Sequence, residues 1–219
     1  MDLQQIETDL LNSDFNYRTK AIAALKAYPP EVAVPILNRH VQDPEFLVRS
    51  FVARELGNQQ TAESFAALLQ IIKLDNTPNV RAEAANSLSL FGIVAAPHLM
   101  QTFFQDDHWL LRRSILAAMM EMSCPEELFE IAVCGIKGDD ISVQDDSINA
   151  LASFVNSDRS TVALNHILSL KNHSFFMLRR RIAYVLKHFD DPAAKAALIE
   201  LRQDLDHRVV GAAMEDLLP

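Results

Sequence analysis

Two stretches decide the fold: Asp43–Leu56 (DPEFLVRSFVAREL) and Asp75–Leu88 (DNTPNVRAEAANSL). They align without a gap. Each opens on an aspartate, reaches Val-Arg six residues later (Arg49, Arg81), and follows the arginine with alanine at +4 (Ala53, Ala85) and leucine at +7 (Leu56, Leu88). Offsets of four and seven fall on one face of an α-helix, so each stretch is a helix with a buried stripe. Asp43-Pro44 and Thr77-Pro78 set a capping residue immediately before a proline, the usual start of a helix.

The same frame extends over the chain. The arginine position reads Arg18, Arg49, Arg81, Arg113, Gln144, Arg179 and Val210, with spacings of 31, 32, 32, 31, 35 and 31. Four residues on stand Ile22, Ala53, Ala85, Ala117, Ile148, Ala183 and Met214. Seven residues on stand Leu25, Leu56, Leu88, Met120, Leu151, Leu186 and Leu217. Six residues before it come Asn12, Asp43, Asp75, Asp107, Gly138, His173 and Asp204, mostly cap or turn residues. Upstream of each turn lies a second apolar stretch, such as Phe65–Ile72 or Leu164–Leu170. Pro125 and Pro192 could start helices of this second kind. Each copy is therefore a pair of short helices, A then B. One pair cannot bury both apolar faces alone, so the copies must stack. The expected fold is all-α, a right-handed α-solenoid of seven pairs forming one domain, 1–219, with repeats at approximately 1–28, 31–57, 60–92, 94–122, 125–155, 160–188 and 191–219. The 35-residue step predicts a longer loop, with a change of curvature, around Asn156–Ser160.

Composition narrows the function. The 219 residues are 49% hydrophobic, with only five glycines, which argues against glycine-rich phosphate loops. With 29 acidic against 20 basic residues the net charge is −9, and nucleic acid is disfavoured as a partner because phosphate contacts need a basic surface. The N-terminus has no secretory pattern, and no apolar run reaches the ~18 residues of a membrane span, so no membrane insertion and a cytoplasmic location are expected. Cys124 and Cys134 are expected as free thiols, about 15 Å apart along a helix and unable to share a metal within one chain.

A helix pair of about 31 residues carrying Asp, then Val-Arg, then Ala and Leu resembles the HEAT-like repeats of the phycobilisome lyase type. Pro35, inside an A helix, is similar to the proline of many HEAT repeats. The resemblance covers nearly the whole chain and is specific for fold rather than function. It implies three readings. One is a protein-interaction scaffold or assembly factor holding a partner on its concave face, in a cyanobacterial photosynthetic or cofactor-assembly pathway. Another is a bilin lyase or chaperone subunit acting on phycobiliproteins, working with a second HEAT-repeat subunit, with a bilin as the one cofactor implied. The third is a helper in iron–sulfur assembly using Cys124 or Cys134 across an interface. The scaffold reading is adopted, with no cofactor.

Several residues are candidates for function. The arginine column forms either a ladder of Asp–Arg pairs joining repeats or a row of guanidiniums for carboxylates such as bilin propionates. Within Arg179-Arg180-Arg181, the first belongs to that column, and the other two are solvated or dock an acidic partner. Phe103–Trp109 holds the single tryptophan beside His108 and Asp107, and its counterpart is Asn172–Phe176, with His173 and Phe175. Trp109 either staples its turn while Asp107 caps helix B, or these turns form a binding edge. Ser50, Arg54, Glu83, Asn86, Asp145, Asn149, Arg180 and Tyr184 are expected to line the concave face. The partner-binding set is thus Arg54, Asn86, Asp107, His108, Trp109, Asn149, Phe175, Arg180 and Tyr184. No catalytic residue or metal ligand is assigned: the acidic pairs Asp106-Asp107, Asp139-Asp140 and Asp145-Asp146 read as caps or diverging side chains. Leu218, if it faces outward, would make the end of the stack a dimer or partner surface.

Overall fold

A computed structural model describes residues 1–215. It is all-helical in helix pairs, and it falls into two compact units, residues 1–124 and 125–219. Leu217 and Leu218, named above, lie outside the described residues.

The first unit holds four pairs: α1 (Leu3–Leu10) with α2 (Phe15–Ala24), α3 (Pro30–Arg39) with α4 (Phe46–Gln59), α5 (Ala62–Leu74) with α6 (Pro78–Ser89), and α7 (Ala96–Gln105) with α8 (Trp109–Glu121). The second helices pack in series, α2 on α4, α4 on α6 and α6 on α8, while α3, α5 and α7 form a parallel row. Local chemistry places the starts. Asp2, Asp14 and Thr61 accept backbone N–H bonds at the beginnings of α1, α2 and α5, and prolines begin α3 and α6. Pro35 sits inside α3.

The second unit holds α9 (Pro125–Ile136) with α10 (Ile141–Ala152), α11 (Ser160–Ser169) with α12 (Phe176–Leu186), and α13 (Pro192–Leu201) with α14 (His207–Met214). Here α10 packs on α12 and α12 on α14, with α9, α11 and α13 in the second row. Pro125 and Pro192 begin their helices as expected. The irregular 35-residue step appears as the connection 153–159 between α10 and α11. It is tied down by Arg159, which pairs with Glu126 and lies 4.8 Å from the centre of the Phe129 ring.

The apolar columns are the core. Ile22, Ala53, Ala85, Ile148 and Ala183 are completely buried, as are Leu25, Leu56, Leu88, Leu151 and Leu186. The fourth pair corrects the sequence register by one residue. Ala117 is exposed and Met120 is 42% exposed, whereas Leu116 and Met119 are completely buried. The column therefore runs through Arg112, Leu116 and Met119, and its turn aspartate is Asp106 rather than Asp107. The tandem pairs Asp106-Asp107 and Arg112-Arg113 both satisfy the six-residue spacing, so spacing alone could not choose between them. Met214 in the last pair is 39% exposed, whereas Ala213 beside it is buried. Between α4 and α6 the backbones approach closely at Gly57, where a Cβ would stand 2.7 Å from Ser87 Cβ.

Candidate functional site

The arginine column is a structural ladder. Arg18 donates to Asp43 of the next turn at 2.8 and 3.0 Å, Arg49 to Asp75 at 2.6 and 3.1 Å, and Arg179 to Asp204 at 2.7 and 2.8 Å. Arg81 Nε donates to Asp106 at 2.9 Å. Each arginine also reaches the carbonyl six residues before it, as Arg49 does to Asp43 O and Arg179 to His173 O. Each aspartate in turn accepts the N–H two residues on, as Asp43 does from Glu45 and Asp204 from Asp206. One carboxylate thus closes its own turn and holds the preceding repeat. These bonds raise the pKa of Arg18, Arg49 and Arg179 and hold the Asp204 carboxyl below the usual carboxylate range. Guanidiniums committed in this way bind the chain itself, and of the two roles open to the column the ladder is the one observed.

The ladder is interrupted inside the second unit. Gln144 takes the arginine place and His173 the aspartate place. Gln144 Nε2 still donates to Gly138 O at 2.7 Å, and His173 Nδ1 still accepts the Phe175 N–H at 3.0 Å. Among the described residues, Gln144 Oε1 and Ser147 Oγ on α10 are buried without a hydrogen-bond partner. Departure from the arginine column was visible in the sequence; these two unsatisfied atoms were not.

The tryptophan turn differs from expectation. Asp107 is exposed and does not cap α8. The cap is His108, whose Nδ1 accepts the Leu110 N–H at 3.2 Å, while Asp106 accepts the His108 N–H at 2.9 Å. An unprotonated ring nitrogen substitutes here for the usual carboxylate or hydroxyl oxygen, which is why sequence reasoning passed it over. The His108 and Trp109 rings stack at 5.9 Å, and Trp109 stays 43% exposed. Phe175 belongs to the other compact unit, half-buried against Phe176 at 5.6 Å.

The exposed face of the even-numbered helices carries the remaining candidates. In the first unit, Arg54 on α4 lies 5.1 Å from the Phe51 ring centre and donates to Glu83 on α6 at 2.8 Å; Asn86 is exposed one turn along α6. In the second unit, Arg181 on α12 makes a two-point pair with Asp145 on α10 at 2.9 and 3.0 Å, and Asn149 is half-buried one turn along α10. The Arg54 and Arg181 guanidiniums have raised pKa values because of these hydrogen bonds. Arg180, adjacent in sequence, is exposed and points elsewhere: it donates to Tyr184 Oη at 3.2 Å and lies 5.4 Å from that ring's centre.

Cys124 is buried, with its Sγ 3.7 Å from Met119 O, and Cys134 is half-buried on α9. Among the described residues no group of three or more His, Cys, Asp or Glu side chains is arranged to hold a metal ion. No described helix is long and apolar enough to cross a membrane.

A family model described as HEAT repeats matches residues 8–89 and 40–120. An X-ray structure of YibA from Escherichia coli is similar at a TM-score of 0.63 and 13% identity, over 99% of this chain and 92% of that one. The complex of CpcE and CpcF of phycocyanin lyase from Nostoc sp. PCC7120 is similar at 0.54 and 18%, over 100% and 95%. At such identities the likeness concerns the fold. No curated protein sequence matches the chain.

Proposed function

We propose, from the premise that the chain belongs to the HEAT-repeat family, that it is a non-catalytic interaction scaffold holding a protein partner on the exposed face of its second helices. In solenoids of this kind that face is the extended concave binding surface. One observation carries the reading. Ion pairs join neighbouring second helices on that face, Arg54–Glu83 in the first unit and Arg181–Asp145 in the second, and so fix the spacing of a polar surface with exposed arginine and asparagine. Such a surface suits the polar rim and arginine anchors of a protein interface better than a lipid. The contact residues are Arg54 and Asn86 with the turn residues Asp107, His108 and Trp109 in the first unit, and Asn149, Arg180 and Tyr184 with the turn residue Phe175 in the second. The finer reading places the chain in the cytoplasm with a phycobiliprotein or a second HEAT-repeat subunit as partner.

The test is capture of partners by the tagged full chain from the source lysate, repeated with Arg54→Glu, with Asn86→Lys, and with an opposite-row control, Glu63→Lys on α5. The proposal expects one stoichiometric protein, lost or weakened at least tenfold in the first two and retained in the control. A coloured eluate rich in phycobiliprotein, or a second HEAT-repeat subunit as the stoichiometric partner, supports the finer reading; a colourless one with an unrelated stoichiometric partner overturns it and leaves the scaffold. A partner indifferent to Arg54 and Asn86 but lost with Glu63→Lys overturns the scaffold face.

A further inference from the structure

The second unit contains a cationic cleft in an acidic chain. Helix α12 (FMLRRRIAYVL) carries three arginines and no acid, although acidic residues outnumber basic ones 29 to 20 in the chain. Its neighbour α14 adds Arg208. Between the two helices lies an open cleft of about 430 Å³ lined by Arg180, Tyr184, Arg208, Gly211, Ala212 and Glu215.

The cations around this cleft are held in place by aromatic rings. Tyr184 has Arg180 5.4 Å and Lys187 5.3 Å from its ring centre, and the Arg208 guanidinium lies 3.5 Å from the centre of the Phe176 ring. Lys187 is paired with Glu215 at 2.9 Å and Arg208 with Asp206 at 2.7 Å. Arg180 is different: among the described residues it bonds to the Tyr184 hydroxyl and to no carboxylate. Its neighbours Arg179 and Arg181 are both committed, to Asp204 and Asp145. An exposed guanidinium held against a ring, with one nitrogen on a hydroxyl and none on a carboxylate among the described residues, is pre-organised for a carboxylate, and less side-chain freedom is lost on binding. The space over Gly211 is open: a Cβ at that position would meet nothing within 4 Å.

We propose that the α12–α14 cleft is the docking site for an acidic segment of the partner protein, with an aspartate or glutamate side chain seated on Arg180 and flanked by Tyr184 and Arg208. This rests on the scaffold reading and specifies the chemistry of one part of its surface. Charge complementarity selects the occupant. An acidic segment is repelled by most of a chain of net charge −9 and attracted here, so the cleft sets where the partner engages. Sequence reading placed Arg180 and Tyr184 on one helix face four residues apart; the contribution of Arg208 from the next repeat appears only in the fold.

The test uses the full chain and a fluorescein-labelled twelve-residue peptide of Asp, Glu and Gly, with its Asn, Gln and Gly counterpart as control. Binding is read by fluorescence anisotropy. The acidic peptide is expected to bind and the amide peptide to bind at least tenfold more weakly. Arg180→Ala is expected to weaken the acidic peptide about fivefold or more, and Arg180→Glu to weaken it further still. Gly211→Trp, which fills the cleft without altering charge, should weaken it about tenfold. Lys73→Glu on α5, which changes the net charge as much as Arg180→Glu does, should alter binding less than twofold. Equal losses in Lys73→Glu and Arg180→Glu, equal binding of the two peptides, or no binding of the acidic one overturns the proposal. Its failure is separable from that of the scaffold: a captured partner that ignores Arg180→Glu but is lost with Arg54→Glu removes the cleft and leaves the scaffold standing.

Discussion

Met119 and Met120 are chemically identical neighbours with opposite surroundings, and together they test the register of the fourth repeat. Met119 is completely buried in α8 and Met120 is 42% exposed. Met119→Ala removes three heavy atoms beyond Cβ from the core. At roughly 0.8 kcal/mol per buried methylene-sized group, transfer alone costs ~2.4 kcal/mol. The cavity left behind adds to this, so the loss falls in the range of about 2–5 kcal/mol typical of buried Met→Ala. Met120→Ala loses less burial and gains the best helix former, so its effect should stay well below that of Met119→Ala. Urea denaturation followed by circular dichroism at 222 nm measures both, and equal m-values would show that the unfolded ensembles are comparable. A Met120→Ala loss equal to or greater than that of Met119→Ala would refute the assigned column and the packing built on it.

Gly57→Ala should destabilise by about 1–3 kcal/mol, because its Cβ would meet Ser87 of α6 at 2.7 Å and the helices must separate; a gain in the urea midpoint would contradict the close approach. Gln144→Arg alone buries a guanidinium without a carboxylate and should destabilise, whereas adding His173→Asp restores the ladder pair; a double-mutant cycle should give a favourable coupling of about 1–3 kcal/mol, and a coupling near zero would mean that the ladder geometry is not reproduced there. Asp204 is held below the usual carboxylate range by its bond to Arg179, so its stabilisation is complete above the unfolded value of about 3.9 and disappears as pH falls through the lower folded value. Wild type should therefore melt above Asp204→Asn at pH 7, with the gap narrowing once the pH falls below the unfolded value of about 3.9; a gap unchanged by pH would contradict the ion pair.

The repeat was legible because three features with separate physical causes recur together: a turn aspartate, an arginine six residues on, and apolar positions at +4 and +7. The slip in the fourth copy shows where pattern runs out. Asp106-Asp107 and Arg112-Arg113 offer two registers of equal spacing. The apolar residues could have arbitrated, since the alternative puts Leu116 and Met119 in the columns in place of Ala117 and Met120. The His108 cap was hidden because histidine rarely serves as one. The role of Arg180 was half-visible. Its pairing with Tyr184 follows from helical spacing, but that Arg179 and Arg181 take the neighbouring carboxylates while Arg180 meets none among the described residues is decided only by three-dimensional packing.

Hydrogen exchange on the isolated complex of this chain with its captured partner tests the scaffold most directly. The account predicts slowed exchange in α4, α6, α10 and α12 on binding, with α3, α5, α11 and α13 little changed. Protection confined to α3, α5, α11 and α13 would contradict it.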